Sequence, residues 1–342
     1  MNAWLNLTDQ QRRTTIEQAA ANSGITSKAI EKDWWVTLCL RAIFQTPSAQ
    51  WLIFKGGTSL SKGWKLIERF SEDIDLALDP VAFGMESRPK PSHDYLRKLK
   101  KNGCVYTSTI FKKELAASLS QLGVPEGMLT ITAEDVKPTL PDKDPQTIFV
   151  YYPSLYDKHP YFNDDVKIEV GVRSLKDPFE MVGIQSLLDE FFQNALYTDD
   201  PFSVPAAAPH KTFLEKIFLL HEKFAAGNME KIVGDRQSRH LYDLFNLMEK
   251  DVGKTALKDA DLYQQIIEHR RHHVHMKSVD YDHLFPSTVS FLPPDEWLEA
   301  FRKDYETMQA EMIYGDSPAF DEMISRLKIL LGRIRQMAKK DD

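Results

Sequence analysis

The chain has 342 residues, 42% hydrophobic and 27% charged, which is long enough for about two folded domains and excludes wholesale disorder and fibrous repeats. With 43 Lys and Arg against 50 Asp and Glu, the net charge is −7, so any contact with nucleic acid requires a local basic surface. No apolar stretch approaches the ~20 residues of a membrane span, and the first residues show no secretory pattern. The two cysteines, Cys39 and Cys104, exclude a disulfide framework and a cysteine zinc site, so a reducing cytoplasm is the expected compartment.

The N-terminal part of the chain alternates helical and strand patterns. Residues 8–45 carry an apolar stripe at three- and four-residue spacing, which predicts helices. Residues 51–54 predict a short buried strand, and residues 60–70, after a glycine turn, predict a helix. Residues 71–78 alternate polar and apolar side chains, which predicts a second strand.

The middle of the chain contains one clear strand. Residues 88–113 are basic and partly helical in pattern, and residues 129–152 predict an irregular strand-and-loop region. Residues 166–173 place Val and Ile on one face, with Lys167 and Glu169 on the other. This alternation predicts a half-buried strand.

The C-terminal part of the chain is helical in pattern after a loop over residues 199–209, which is rich in Pro and Ala. Helices are predicted over residues 211–224, 239–250, 259–275, 295–313 and 319–338. The expected organisation is therefore a mixed domain over residues 1–205 and a helical domain over residues 206–342.

The glycine turn and the strand after it carry the first chemical signal. Gly56 and Gly57 follow a strand and precede a helix, so their amides and the helix dipole favour an anion such as phosphate. Asp73 and Asp75 lie on one side of the next strand, and paired carboxylates suit Mg²⁺, which takes oxygen ligands. Taken singly, the glycines are read as an ordinary turn and the aspartates as a solvated strand face, whereas the two features together favour a functional site.

A third carboxylate, Glu169, lies on the polar face of the strand over residues 166–173. Three carboxylates on neighbouring strands hold two metal ions in enzymes that transfer phosphoryl groups. The alternative reading is a surface glutamate paired with Lys167 or Arg173.

Several motifs together resemble the AbiEii/AbiGii toxin family of the nucleotidyltransferase superfamily. They are Lys55-Gly-Gly-Thr-Ser-Leu, Phe70-Ser-Glu-Asp-Ile-Asp-Leu, Leu214-Glu-Lys-Ile, Arg239-His-Leu-Tyr-Asp-Leu and, with longer members, Ile30-Glu-Lys-Asp-Trp-Trp-Val. The resemblance covers roughly residues 28–250. It implies an α+β fold: a polymerase-beta-like mixed sheet with flanking helices and a helical C-terminal domain.

The resemblance also implies the site residues and the cofactors. Asp73 and Asp75, with Glu169, would hold one or two Mg²⁺ ions, and NTP would be the substrate. The residues implied to hold the NTP phosphates are Gly56, Gly57, Thr58, Ser59 and Lys216. Asp243 is implied to assist catalysis, as a base, although the motif around it lacks the family's first acidic residue.

The distal motifs also have plain structural readings. Arg239 and Asp243 are four residues apart on one helix face, so a simple ion pair between them is the alternative. Lys216 lies at the edge of the apolar stripe of its helix, where a lysine is usually a solvated rim residue.

Two further clusters stand out. The basic run, interleaved with His93 and Tyr95, fits either an RNA backbone or a solvated helix face. Its members are Arg88, Lys90, Arg97, Lys98, Lys100 and Lys101. A histidine group over residues 269–275 invites a zinc reading, but a basic cluster at a helix end is favoured because no His-Glu-x-x-His pattern accompanies it.

The hypothesis from sequence is a Mg²⁺-dependent, pyrophosphate-releasing nucleotidyltransferase. The family resemblance extends it to a toxin that modifies RNA, namely the 3′ end of tRNA, and that has a separately encoded antitoxin. The alternatives are modification of a small molecule or a protein hydroxyl, or a nucleotide-binding module without turnover.

Overall fold

A computed structural model describes residues 2–136, 143–158, 163–193, 195–227, 232 and 236–337. The chain divides into two compact units, the first made of Met1–Trp64 and Phe70–Ala207, the second of Lys65–Arg69 and Ala208–Asp342. Within the described ranges, no helix is long and apolar enough to cross a membrane.

The first unit is built on one sheet of seven strands. They are β1 Leu52–Lys55, β2 Ile74–Leu78, β3 Thr130–Ala133, β4 Gln146–Tyr151, β5 Asp165–Gly171, β6 Phe179–Ile184 and β7 Phe202–Ala207. Their order in the sheet is β3-β4-β5-β2-β1-β7-β6. β1 and β7 are parallel, as are β2 and β5, and the other neighbours are antiparallel. The expected α+β class with a mixed sheet is confirmed.

Helices accompany the sheet within the same unit. They are α1 Asn2–Leu5, α2 Asp9–Ser23, α3 Ser27–Ile43, α4 Gly56–Thr58, α5 His93–Tyr106, α6 Lys112–Gln121 and α7 Leu187–Phe191. Thr8 and Gln11 form a capping box at the start of α2, and Gly24 ends that helix in the left-handed conformation. The helices expected over residues 8–45 are confirmed, because α2 and α3 fill most of that range.

One face of the sheet is packed against helices. The inward side chains of the central strands are at most 1% exposed; they are Ile74, Leu76, Ile148, Val150, Ile168 and Val170. Trp35 of α3 stacks on Tyr152, just after β4, with ring centroids 5.0 Å apart. A Cβ on Gly103 of α5 would lie 2.5 Å from Val172, so this helix also approaches the same face closely. The alternation expected over residues 166–173 is confirmed by β5, whose Lys167 and Glu169 lie on the opposite face.

Three expected elements differ from the structure. The strand expected over residues 71–78 begins only at Ile74, which leaves residues 71–73 outside it. The helix expected over residues 60–70 is wrong beyond Gly63, because α4 continues only as a π-helical turn, Ser59–Gly63, and Lys65 has a φ of 53°. The loop expected over residues 199–209 is wrong because it contains β7, next to β1. The small side chain of Ala207 packs with Ile53 and Ala77, so the composition that reads as a loop serves close packing.

The described helices of the second unit all lie after residue 208. Its helices are α8 Pro209–Ala226, α9 Ser238–Met248, α10 Asp251–Ala256, α11 Ala260–His269, α12 Leu298–Glu311 and α13 Phe320–Met337. Shorter π-helical turns are Thr107–Phe111 in the first unit and Arg270–Val274 in the second; 3₁₀ turns are Pro47–Trp51, Pro80–Phe83, Tyr281–His283 and Asp295–Trp297. Part of the region expected to be irregular, residues 137–142, lies outside the described residues, as does residue 338 of the last predicted helix.

Candidate functional site

The glycine turn connects β1 to α4 and lies against β2. Gly56 has a φ of +80°, which favours glycine, and a Cβ at this position would lie 2.0 Å from Oδ2 of Asp75. Gly57 follows as the second residue of α4. Glycine at position 56 is therefore required both by the backbone conformation and by the close approach of a carboxylate.

The two hydroxyls of the turn are buried and hydrogen-bonded within the first unit. Ser59 Oγ donates to the carbonyl oxygen of Gly56 at 2.9 Å. Thr58 Oγ1 lies 2.9 Å from Ser71 Oγ and also donates to the carbonyl oxygen of Asp73. These hydroxyls therefore link the glycine turn to the segment that leads into β2.

Two of the three carboxylates singled out from the sequence lie on the same face of the sheet. Asp75 of β2 is in register with Lys55 of β1 on one side and with Glu169 of β5 on the other. Asp73 lies two residues before Asp75, immediately ahead of the strand. The structure thus places Asp75 and Glu169 directly across neighbouring strands, with the glycine turn at Asp75.

A lysine ammonium lies among these carboxylates. Lys167 Nζ is 2.7 Å from Glu169 Oε1, which matches the alternative reading of Glu169 as an ion-paired glutamate. Burial lowers the pKa of Lys167, but Asp73, Glu169 and Asp75 outweigh it and raise that pKa above its usual value. In the part of the chain that the structure describes, no three His, Cys, Asp or Glu side chains are grouped to hold a metal ion.

Three consecutive charged residues of α3 bind other segments of the first unit through hydrogen bonds and ion pairs. The sequence had placed them only in a core-packing helix and in a motif that resembles the family. Glu31 accepts a hydrogen bond from the Leu155 amide at 2.7 Å. Lys32 pairs with Glu72, the residue before Asp73, and Asp33 pairs with Lys62 at 2.6 Å.

All three α3 side chains are buried, at most 6% exposed. The sequence did carry a signal for these ion pairs: three consecutive charges inside a helix, followed directly by two tryptophans. Charged side chains in such an apolar setting are buried only when they have partners.

The second unit contains a separate buried ionic cluster around Asp243 of α9. Arg69 donates to both carboxylate oxygens, with Nε to Oδ1 at 2.7 Å and Nη2 to Oδ2 at 2.8 Å. Lys216 of α8 lies 2.9 Å from Oδ2 of the same carboxylate. Arg69 is 2% exposed, Lys216 7% and Asp243 not at all, so the lysine expected at a solvated rim is buried.

The electrostatics of this cluster follow from burial and from the shared charges. Burial raises the pKa of Asp243, but Arg69 and Lys216 outweigh it and lower the pKa to about 2. Burial also lowers the pKa of Lys216. Burial and the neighbouring Lys216 lower the pKa of His240, whose Nδ1 lies 3.2 Å from Lys216 Nζ, so a neutral imidazole can accept a hydrogen bond from the ammonium.

Sequence reasoning missed Arg69, the main partner of Asp243. It had offered Arg239 as the partner because the two residues share a helix face. Arg69 is 174 positions away in the chain, and no local pattern signals such a pair.

The basic run and the histidine group are also placed. Arg88 lies over the ring of Tyr95, 4.7 Å from its centroid, and most of the basic side chains of α5 are exposed. The rings of His269 and His273 stack with centroids 4.3 Å apart where α11 passes into its π-helical turn.

Comparisons with known proteins give the following matches. The model of a family described as nucleotidyl transferase AbiEii toxin, type IV toxin–antitoxin system, matches residues 38–326. No curated protein matches the chain. Among solved structures, MenT4, a nucleotidyltransferase toxin from Mycobacterium tuberculosis H37Rv, matches with 16% identity and a TM-score of 0.42, covering 96% of this chain and 100% of that one.

Proposed function

Because this chain belongs to the AbiEii family of nucleotidyltransferase toxins from type IV toxin–antitoxin systems, we propose that it transfers a nucleoside monophosphate to RNA. The chain is a nucleotidyltransferase, and the family uses NTP as its substrate. The finer proposal names Mg²⁺ as the metal, the 3′ end of tRNA as the acceptor and a separately encoded antitoxin as the partner.

The observation that carries the proposal is the contact between the glycine turn and Asp75. A Cβ at Gly56 would occupy the position of the Asp75 carboxylate, so the turn is shaped around that group. The donor set also fits Mg²⁺, because Asp73 and Asp75 offer carboxylate oxygens and this ion keeps waters and substrate phosphates as its other ligands. Glu169 would join them on release from Lys167.

The proposed reaction is the transfer of a nucleoside monophosphate from NTP to an acceptor hydroxyl. An acceptor hydroxyl oxygen forms a bond to the α-phosphorus, the bond from that phosphorus to the bridging oxygen breaks, pyrophosphate leaves and the hydroxyl proton passes to water. Bound Mg²⁺ would neutralise charge on the phosphates and lower the barrier to attack. Asp73 and Asp75 would hold the metal, and the amides of Gly56 and Gly57 would donate to the phosphates.

The cluster in the second unit supports a phosphate-binding role for Lys216. Arg69, Lys216 and Asp243 together carry one net positive charge, which favours a polyanion. Asp243 is better suited to positioning Lys216 than to acting as the base, because a carboxylate with a pKa of about 2 holds a proton weakly. We therefore assign Asp243 a positioning role, in place of the base suggested by sequence.

Exposed basic side chains of α5 support RNA as the acceptor, and because this helix packs on the sheet face opposite to the carboxylates, they would contact RNA away from its reacting end. A chain with a net charge of −7 repels RNA overall, so a local basic surface is needed, and Arg97 and Lys98 are both exposed on this helix. A hydroxyl of a small molecule or a protein would need no such surface.

The test is label transfer with purified protein. Wild type and Asp73→Asn are incubated with total cellular RNA, Mg²⁺ and each α-³²P-labelled NTP in turn, and products are resolved on a denaturing gel. We expect label in a tRNA-sized band with wild type, and a loss of roughly 100-fold or more with Asp73→Asn. Glu180→Gln, at an exposed carboxylate of β6, is the matched control and should label normally.

Each contrary result has a defined meaning. Equal labelling by Asp73→Asn and wild type would contradict the assignment of the metal site. Label in a small molecule or in protein, with none in RNA, would replace the acceptor while keeping the reaction.

A further inference from the structure

Two aromatic side chains lie on the sheet face that carries the carboxylates. Phe149 of β4 is in register with Lys167, and Tyr151 with Asp165, in β5. Thr147, two residues before Phe149, is in register with Glu169. Alternation along β4 therefore places both rings on the same face as Asp75. Two strand spacings and two residues separate the Phe149 backbone from that of Asp75, roughly 12 Å, and Tyr151 lies two residues further, roughly 17 Å away.

The rings are arranged side by side and accessible. Their centroids are 6.1 Å apart with planes 24° from parallel, and Tyr151 is 43% exposed. The alternating residues Ile148 and Val150 point to the other face and are fully buried. β4 therefore gives its aliphatic side chains to the core and leaves its aromatic ones to the carboxylate face.

Polar groups surround the pair on the same face. Thr132 and Thr130 of β3 are in register with Phe149 and Tyr151, respectively, and both threonines are exposed. Lys167 lies on the opposite side of Phe149, with its side chain 36% exposed. Two rings, two hydroxyls and an ammonium thus form one patch, which we call the β4 aromatic patch.

This composition suits unpaired nucleobases. Every base has a π face that stacks on an aromatic ring, and sheets that bind single-stranded RNA present aromatic residues in this way to two or three successive bases. The hydroxyls can form hydrogen bonds with base edges or with sugars. The positive charge of Lys167 reduces the repulsion between the nearby carboxylates and the phosphates of a bound RNA.

We propose that the β4 aromatic patch stacks the unpaired bases at the end of the acceptor RNA. This inference rests on the proposed function, because it assigns a place to the acceptor of that reaction. Two rings side by side match successive bases of a strand, whereas a free nucleotide offers a single base.

The test measures base stacking directly, with a short single-stranded RNA that ends in 2-aminopurine and without divalent metal, so that no transfer occurs. Stacking quenches the fluorescence of this base. We expect quenching with wild type, a roughly tenfold weaker Kd with Tyr151→Ala or Phe149→Ala, and retention with Tyr151→Trp. Tyr151→Leu keeps apolar area without a π face and should lose the quenching.

The matched control is Phe191→Ala, since Phe191 is also an exposed aromatic residue of the first unit, lies on α7 outside the sheet, and is 39% exposed. It should bind and quench as wild type. Circular dichroism of each variant verifies folding. If Phe149→Ala folds poorly, Tyr151→Ala still tests the patch, because the Tyr151 side chain is exposed.

Three outcomes would each overturn a different part of the proposal. Unchanged Kd and quenching in both alanine variants would overturn the patch as a base-binding site. If 2-aminopurine riboside triphosphate, and not the RNA, loses quenching with Tyr151→Ala, the base belongs to the NTP and the assignment to the acceptor is overturned. Wild type that quenches the RNA but transfers no label would overturn the proposed function and leave the patch supported.

Discussion

Asp75 in the first unit and Asp243 in the second are aspartates in opposite environments. Asp75 lies on a partly exposed sheet face among other carboxylates, with Lys167 as a nearby cation. Asp243 is fully buried and contacts Arg69 and Lys216 directly. The difference teaches that burial sets what each carboxylate requires: Asp243, enclosed with Arg69 and Lys216, depends on those cations for its charge, whereas Asp75 lies on a face that solvent reaches.

The largest expected effect concerns stability and separates these two roles. Asp243→Asn leaves Arg69 and Lys216 buried without their shared anion, so we expect a loss of about 3–5 kcal/mol in the free energy of unfolding. Asp73→Asn should change it by about 1 kcal/mol or less. Urea denaturation of both variants measures the contrast.

The control for this comparison is a second substitution in the same cluster. Lys216→Met added to Asp243→Asn removes one of the two orphaned cations and should recover part of the loss. Equal stability of the two single aspartate variants would contradict the contrast between the units.

The next effect tests the close approach at the glycine turn. Gly56→Ala must move the Asp75 carboxylate and also adopt a positive φ, so we expect about 1–3 kcal/mol of destabilisation together with loss of label transfer. Gly127→Ala is a matched control, because Gly127 has a φ of +78° but nothing within 4 Å of its Cβ position. Full transfer activity in Gly56→Ala would show that the turn is not shaped around Asp75.

Acid should act on the second unit through Asp243. Its folded-state pKa, about 2, is below the usual value of 3.8, so its contribution to stability is complete above about pH 4 and is lost as pH falls toward 2. The shift corresponds to about 2 kcal/mol. Unfolding followed from pH 5 to pH 2 in wild type and Asp243→Asn should show a flatter profile in the variant, and parallel profiles would contradict the depressed pKa.

The smallest effect sharpens the picture of the first unit. On the proposed metal site, Lys167 would compete with the ion for the carboxylates, so Lys167→Met should bind Mn²⁺ roughly three- to tenfold more tightly. The change is modest because solvent screens this partly exposed site. Paramagnetic resonance of free Mn²⁺ measures this without any turnover. Lys113→Met, at an exposed position on α6, is the control, and weaker binding by Lys167→Met would contradict competition.

Local pattern was sufficient to predict much of the first unit. The alternation of β5 and the order of strand, glycine turn and strand follow from periods of two and from glycine, which are local properties. β7 was missed because Pro205 and its alanines are typical of a loop, and their role depends on packing against Ile53 and Ala77 from distant segments.

The site residues divide in the same way. Strand period alone put Asp73 and Asp75 on one side of their strand and Glu169 on the polar face of its own, and the structure brings Asp75 and Glu169 into register. The pairing of Arg69 with Asp243 could not be found, because it joins residues far apart in sequence and its energetics depend on burial. For the same reason Lys216 was expected in solvent.

The short segment Lys65–Arg69 belongs to the second unit although its chain neighbours belong to the first. A single cut after residue 207 would therefore leave the guanidinium of Arg69 on one fragment and its carboxylate, Asp243, on the other. Recombination could not exchange the two units as intact cassettes at that junction. A new helical half joined there would leave Arg69 without its partner unless it carried an acid at the position of Asp243.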